Sequence, residues 1–309
     1  MNFLFLFMDG IGLGPDTPET NPLAAADLPH LTSLLGGRKL VSGIAPLQTE
    51  RATLLALDPN MKVSGLPQSA TGQASLLTGK NVPEIVGMHY GPKPNPAVRE
   101  VLNGGTLFSA LKQAGYHAAL LNAYPSQYFE SVDSGRRLYS AIPQAVVFAE
   151  IPLKNTKDLY AGEALSADFT GEGWRTHLKR EDVPVFPPYK AGQNLANLAE
   201  GYDLAFFEYW PSDVAGHRQN LEDAVSLLEE FDQVFGGLLE AWHDEQGLIL
   251  LTSDHGNLED LNTRRHTDNP VPALVIGAQH LRERFTQNLR TLADVTPAIL
   301  QFYPAKKDV

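Results

Sequence analysis

Four stretches of this 309-residue chain hold side chains that bind metal ions, and they lie far apart in sequence. Asp9 ends a short apolar run. Asp213 and His217 fall in WPSDVAGH. Asp254 and His255 fall in TSDHGN, and His266 follows in RRHTDNPVP. Taken singly, each has an ordinary explanation: Asp-Gly makes turns, and an Asp ahead of a long helix caps it. Taken together, three acids and three histidines suit a Zn or Mn centre, because those ions accept carboxylate and imidazole. The chain has no cysteine, so thiolate sites, disulfides and Cys nucleophiles are excluded. A fifth stretch, LPQSATGQASLLTG at 66–79, sets Ser69 and Thr71 just before a helix expected from about Gly72. A hydroxyl at a helix N-terminus can bind phosphate or be activated as a nucleophile.

A scaffold must bring these stretches together. Residues 2–8 form an apolar run too short for a helix, which predicts a buried strand. Runs at 117–122, 204–209 and 248–252 predict three more strands, and 273–276 a shorter one. Helices are expected at 28–36, 106–114 and 292–302. The clearest spans 221–242, where Leu221, Val225, Leu228, Phe231, Phe235, Leu238 and Trp242 keep steps of three or four. Gly236 and Gly237 should each weaken it by roughly 1 kcal/mol. Strands alternating with helices give an α/β, three-layer sandwich around a mainly parallel sheet. In such sheets ligands bind beyond the carboxyl ends of the strands, and Asp9, Asp213 and Asp254 all follow strand ends. Residues 124–198 break the alternation with aromatics, prolines and a basic group. They are expected to form a small inserted cap on a metal-binding core made of 1–123 and 199–309. Within it Arg175 and Arg180 are the candidate substrate-binding residues.

Composition narrows the partners. Lys and Arg number 24 against 36 Asp and Glu, a net charge of −12. Such a surface repels nucleic acid and anionic membrane, which both require clustered cations. The longest apolar stretch, at 3–8, falls far short of the roughly 20 residues that span a bilayer. A cytoplasmic protein acting on a small molecule is expected. Gly10, Gly12 and Gly14 suggest a dinucleotide loop, but Pro15 stands where the third glycine of that motif belongs. A D-x-D phosphatase is excluded by Ile11, and no G-x-S-x-G elbow surrounds Ser69.

In their order along the chain, the five stretches resemble the alkaline phosphatase superfamily. The branch they resemble contains cofactor-independent phosphoglycerate mutase and phosphopentomutase. Asp9-Gly10 resembles its opening metal ligand, and Ser69 falls where that family has its nucleophile. Asp213 and His217 resemble its D-x-x-x-H pair. Asp254-His255-Gly256-Asn257-x-Glu259 and His266-Thr267-x-Asn269-Pro270-Val271-Pro272 resemble its later signatures. The resemblance implies two divalent ions, Mn or Zn. One would be held by Asp9, Ser69, Asp254 and His255, the other by Asp213, His217 and His266. Gln68 and Gln73 depart from the family, which usually has His at the second position. The implied reaction is two-metal phosphoryl transfer through a phosphoserine at Ser69. A mutase needs a sizeable closing cap, and 124–198 is small. A phosphomonoester hydrolase acting on a small phosphorylated metabolite is therefore expected first. A cofactor-independent phosphomutase is the alternative, and a non-catalytic phosphometabolite-binding protein the third reading.

Overall fold

In the computed structural model, which describes residues 1–306, the strands run in chain order β1 (Asn2–Met8), β2 (Leu47–Gln48), β3 (Ala52–Leu57), β4 (Ala118–Leu120), β5 (Ala123–Tyr124), β6 (Lys154–Asn155), β7 (Leu204–Tyr209), β8 (Gly247–Thr252) and β9 (Val271–Ile276). Seven form one sheet in the order β2-β3-β9-β8-β1-β7-β4, and β5 pairs with β6 apart from it. The block β4-β7-β1-β8 is parallel throughout. The three remaining pairings, β8 with β9, β9 with β3 and β3 with β2, are antiparallel. The sheet is thus mixed, and its parallel half carries the ligand-bearing ends.

Alternation along β1 explains the three layers. Leu4, Leu6 and Met8 enter one apolar core, and Phe3, Phe5 and Phe7 enter the other, on the opposite face. The Phe5 and Phe206 rings stack at 4.4 Å across β1 and β7. Helix Leu221–Ala241 lies on the first face. Asn220 caps it by accepting a hydrogen bond from the Asp223 amide, and Glu222 and Asp223 sit in its first turn. Its internal Gly237 has a packing reason. A Cβ there would collide with the Tyr189 carbonyl, because helix Pro188–Ala199 crosses in backbone contact.

Residues 124–198 divide between the core layers and a separate patch. Helix Ala141–Phe148 buries Ala141, Ile142, Ala145 and Val146 in the second core, and helix Pro188–Ala199 buries Ala191, Leu195, Ala196 and Ala199 in the first. Between them, Leu159, Ala164, Trp174 and Val183 form a small cluster of their own with Ala123. The expected C-terminal helix is split into a 3-10 turn, Leu292–Asp294, and an α-helix, Val295–Leu300. Among the described residues no helix is long and apolar enough to cross a membrane.

Candidate metal centre

The parallel block sets three acids at one edge. Phe7 pairs with Thr252 in register, so two residues further on Asp9 and Asp254 come level on adjacent strands. Met8 pairs with Tyr209 on the other side, and the chain then turns into helix Pro211–Arg218, with Asp213 in its first turn. The helix puts His217 four residues on, facing the same way. Opposite them stands helix Ser69–Thr78. It starts three residues earlier than expected, which makes Ser69 its first helical residue.

The side chains converge. Ser69 Oγ lies 3.0 Å from His255 Nε2. The same nitrogen is 3.4 Å from Asp9 Oδ1 and 3.6 Å from Asp254 Oδ2. Asp213 Oδ2 lies 3.4 Å from His217 Nε2, and its Oδ1 lies 3.9 Å from His266 Nε2. Asp213, His217 and His266 each offer one ligand atom, all within 4.8 Å of one another, and so do Asp9, Asp213 and His255. Asp213 therefore stands between two groups, a placement the sequence did not suggest.

The donor set fits metal ions. His217 donates Nδ1–H to the Arg264 carbonyl at 3.0 Å, His266 to the Pro67 carbonyl at 2.9 Å, and His255 faces the Gly256 carbonyl at 3.4 Å. Each backbone contact fixes a tautomer that leaves Nε2 free to face the centre. Asp9 Oδ1 is buried with no hydrogen-bond partner, an orphaned acceptor of the kind an ion would satisfy. Burial, then the charges of Asp254, Asp213 and Glu208, pushes the Asp9 carboxyl well above its usual range. Burial followed by the Asp213 charge pushes Asp254 up to about 7. Burial, then neighbouring His266, holds His255 down to about 3, and their rings stack at 3.7 Å. Burial, the largest single influence, would raise Asp213 too, but hydrogen bonding from His217 and Asn257 with the charges of His255 and His217 together outweigh it and leave Asp213 at about 2. The lowered imidazoles of His255 and His266 beside Asp9 and Asp254, whose carboxyls resist ionisation, describe a pocket short of positive charge.

Other residues hold the centre in shape. Thr71 spends its hydroxyl on the Gln68 and Tyr90 backbone, so it braces the turn beside Ser69. Gln73 donates to Asp254 Oδ2 at 3.1 Å and Asp9 Oδ2 at 3.4 Å, bridging two carboxylates. Asn257 donates to Asp213 Oδ1 at 2.7 Å. Glu259 ties three loops. It accepts from the amides of Gly12 and Asn257, from the Thr267 hydroxyl and from Asn269. Asn257 and Glu259 belong to the DHGNLE stretch, the one sequence signal for them. The dinucleotide-like loop is likewise occupied, since the amides of Ile11, Gly12 and Leu13 bond to Ser253, Glu259 and Pro270. Arg175 and Arg180 lie on the surface, paired with Glu172 at 3.7 Å and Asp182 at 4.0 Å.

The family model described as the Metalloenzyme superfamily matches residues 188–307, which include Asp213, His217, Asp254, His255 and His266. A 2,3-bisphosphoglycerate-independent phosphoglycerate mutase from Roseobacter denitrificans is 37% identical over 156 residues, covering 46% of this chain and 30% of that relative. The enzyme of the same name from Acetivibrio thermocellus is 34% identical over 113 residues, 34% of this chain and 21% of its own. The chain thus matches under a third of the length of these relatives. Among solved structures, the PH0037 protein of Pyrococcus horikoshii superposes with a TM-score of 0.57 at 14% identity, covering 100% of this chain and 98% of that one. Alkaline phosphatase from the Antarctic bacterium TAB5 gives 0.54 at 14% identity, covering 99% and 98%. Phosphoglycerate mutase from Leishmania mexicana gives 0.51 at 13%, covering 99% and 96%. At these identities the structures speak for the fold.

Proposed function

We propose, for a chain that belongs to the alkaline phosphatase superfamily of metal-dependent enzymes, that Ser69 carries a phosphoryl group from a small phosphorylated metabolite to a second acceptor. The observation that carries this reading is the approach of Ser69 Oγ, at a helix N-terminus, to 3.0 Å from His255 within the acid and histidine constellation.

Two divalent cations, Mn or Zn, belong to this proposal: one for Asp213, His217 and His266, whose ligand atoms lie within 4.8 Å of one another, and one for Asp9 and His255 with Ser69 and Asp254 beside them, a group that Asp213 also reaches. When bound, such a pair neutralises the transferring phosphoryl oxygens and favours a deprotonated hydroxyl. The protein's own groups supply the rest. Ser69 Oγ attacks phosphorus, and the bond to the leaving oxygen breaks in line as the new bond forms. The amides at the start of helix Ser69–Thr78 favour the negative charge gathered there. A second oxygen nucleophile then takes the phosphoryl group off Ser69.

That nucleophile decides the activity. Sequence alone puts water first, on the size of the cap. The relatives named phosphoglycerate mutase weigh toward a second substrate hydroxyl, and we adopt phosphomutase-type transfer. Hydrolysis is the competing outcome of the same chemistry. A cap is sought in the stretch that holds its own cluster of Leu159, Ala164, Trp174 and Val183, with Arg175 and Arg180 as its substrate contacts. A cytoplasmic location with no nucleic-acid or membrane partner belongs to the same proposal and is supported by the charge of −12.

The test is incubation of metal-loaded protein with a panel of phosphate esters. Phosphate on Ser69, found by mass spectrometry, together with a positional isomer of the ester, supports the proposal. Inorganic phosphate alone would make the protein a hydrolase. An unmodified Ser69 with full turnover would overturn the mechanism.

A further inference from the structure

Among the described residues five acids are buried: Asp9, Glu208, Asp232, Asp254 and Glu259. Asp9 and Asp254 are candidate ligands. Asp232 accepts from two backbone amides, and Glu259 from four donors. Glu208 is different. It is 6% exposed, yet it receives one long hydrogen bond, from the Tyr124 hydroxyl to Oε2 at 3.4 Å, and none reaches Oε1. Oε1 is not among the fully enclosed polar atoms that lack a partner, so it faces accessible space where a ligand group can complete it.

Its position is fixed and close to the reacting centre. Asn122 clamps the Glu208 backbone through two hydrogen bonds of 2.8 Å. Glu208 pairs in register with Phe7 and alternates with Phe206, which packs in the same core as Phe5 and Phe7. Glu208 and Asp9 therefore share one sheet face on adjacent strands. Strand spacing and rise place their Cα atoms about 8 Å apart, and the Glu208 charge contributes to raising Asp9. Beside it stand Tyr124 and Tyr128, with ring centroids 4.5 Å apart. Arg137 lies over the Tyr128 ring at 4.7 Å and forms no ion pair with the carboxylate. Burial pushes Glu208 up to about 7, against hydrogen bonding from Tyr124 and the Arg137 charge, and above that pH the carboxylate accepts a hydrogen bond.

We infer that Glu208 is a specificity-determining residue: with Tyr124 it binds a hydroxyl of the substrate next to the phosphoryl centre and rejects a carboxylate there. The substrate class is then a phosphate ester of a polyol or sugar rather than of a hydroxy acid. The tyrosine rings offer an apolar face to the C–H side of such a molecule. A substrate carboxylate in place of that hydroxyl would face the ionised Glu208 directly, a repulsion that changes affinity by roughly tenfold or more. This inference rests on the proposed phosphoryl-transfer site.

Two esters differing in one group make the test: glycerol 3-phosphate and 3-phosphoglycerate. Their binding is measured by calorimetry to the full chain loaded with Mn and carrying Ser69→Ala, which removes turnover from the readout. Tighter binding of glycerol 3-phosphate, by about tenfold or more, is expected. Adding Glu208→Gln should close most of that gap, chiefly by improving the carboxylate ester. Should that variant misfold, Tyr124→Phe removes the hydroxyl and keeps the ring, and it should weaken glycerol 3-phosphate alone. Equal affinities, a preference for 3-phosphoglycerate, or an unchanged ratio in both variants would overturn the inference. A failure of Ser69 phosphorylation would instead fall on the catalytic proposal, leaving the affinity ratio as it was.

Discussion

Replacing Glu259 with Gln should loosen the candidate metal centre without touching a ligand. Glu259 Oε2 accepts from the amides of Gly12 at 2.9 Å and Asn257 at 2.8 Å, while Oε1 accepts from the Thr267 hydroxyl and from Asn269 at 3.1 Å. Those donors sit on the loops that carry Asp9, Asp254 with His255, and His266. A glutamine oxygen can serve one pair. Its amide nitrogen then faces the other pair, where Thr267 can turn its hydroxyl but Asn269 is left a donor against a donor. Charge-assisted bonds become neutral ones and one buried donor is orphaned, at a net cost of about 2–4 kcal/mol once the relief of removing a buried charge is counted. Residues that orient metal ligands typically shift affinity by roughly 10–100-fold. The assay is the urea midpoint of metal-free protein together with a Zn titration of both forms. A variant within about 0.5 kcal/mol of wild type that also binds Zn equally well would refute the reasoning. Gly256→Ala should fail for the complementary reason, since its Cβ would collide with Glu259 and Thr267.

Ser69→Ala should abolish turnover and leave metal content unchanged, whereas Thr71→Val, which removes a hydroxyl spent on backbone, should cost roughly 1–3 kcal/mol of stability in a denaturant titration. Metal-free protein should lose stability as pH rises from about 4 toward about 7. Asp9, Asp254 and Glu208 are raised in the fold, so the unfolded chain ionises them first; His255 and His266, both lowered, act in the opposite sense, two groups against three. Zn binding near pH 6 should then release protons, seen as a buffer-dependent heat in calorimetry. Arg175→Ala or Arg180→Ala should raise KM on a phosphate ester with kcat and metal content unchanged; wild-type constants would assign both to the surface pairs they form with Glu172 and Asp182.

Much of the positioning framework was legible because its signals are local. The 2–8 run became β1, and the apolar stripe from Leu221 became helix Leu221–Ala241, since period alone reports one buried face. Pro143 lies in the first turn of helix Ala141–Phe148, and Pro188 opens helix Pro188–Ala199. In a first helical turn proline gives up no internal hydrogen bond, so these residues open helices whose apolar faces join the core layers. Strand β3 escaped notice because ATLLAL serves equally as helix or strand, and its pairing with β9 is long-range. Asp9, Asp213 and Asp254 were readable because each follows a strand end, and His217 and His255 because they stand beside them in sequence. Glu208 and Gln73 were not, because burial and cross-strand neighbours are set only by the sheet order.

Metal content and anomalous diffraction from crystals grown with Mn or Zn test the central claim most directly. The account predicts two ions per chain, roughly 3.5–4 Å apart. One should contact Asp9, Ser69, Asp254 and His255, and the other Asp213, His217 and His266. A single ion, ions bound elsewhere, or none at saturating metal would contradict it.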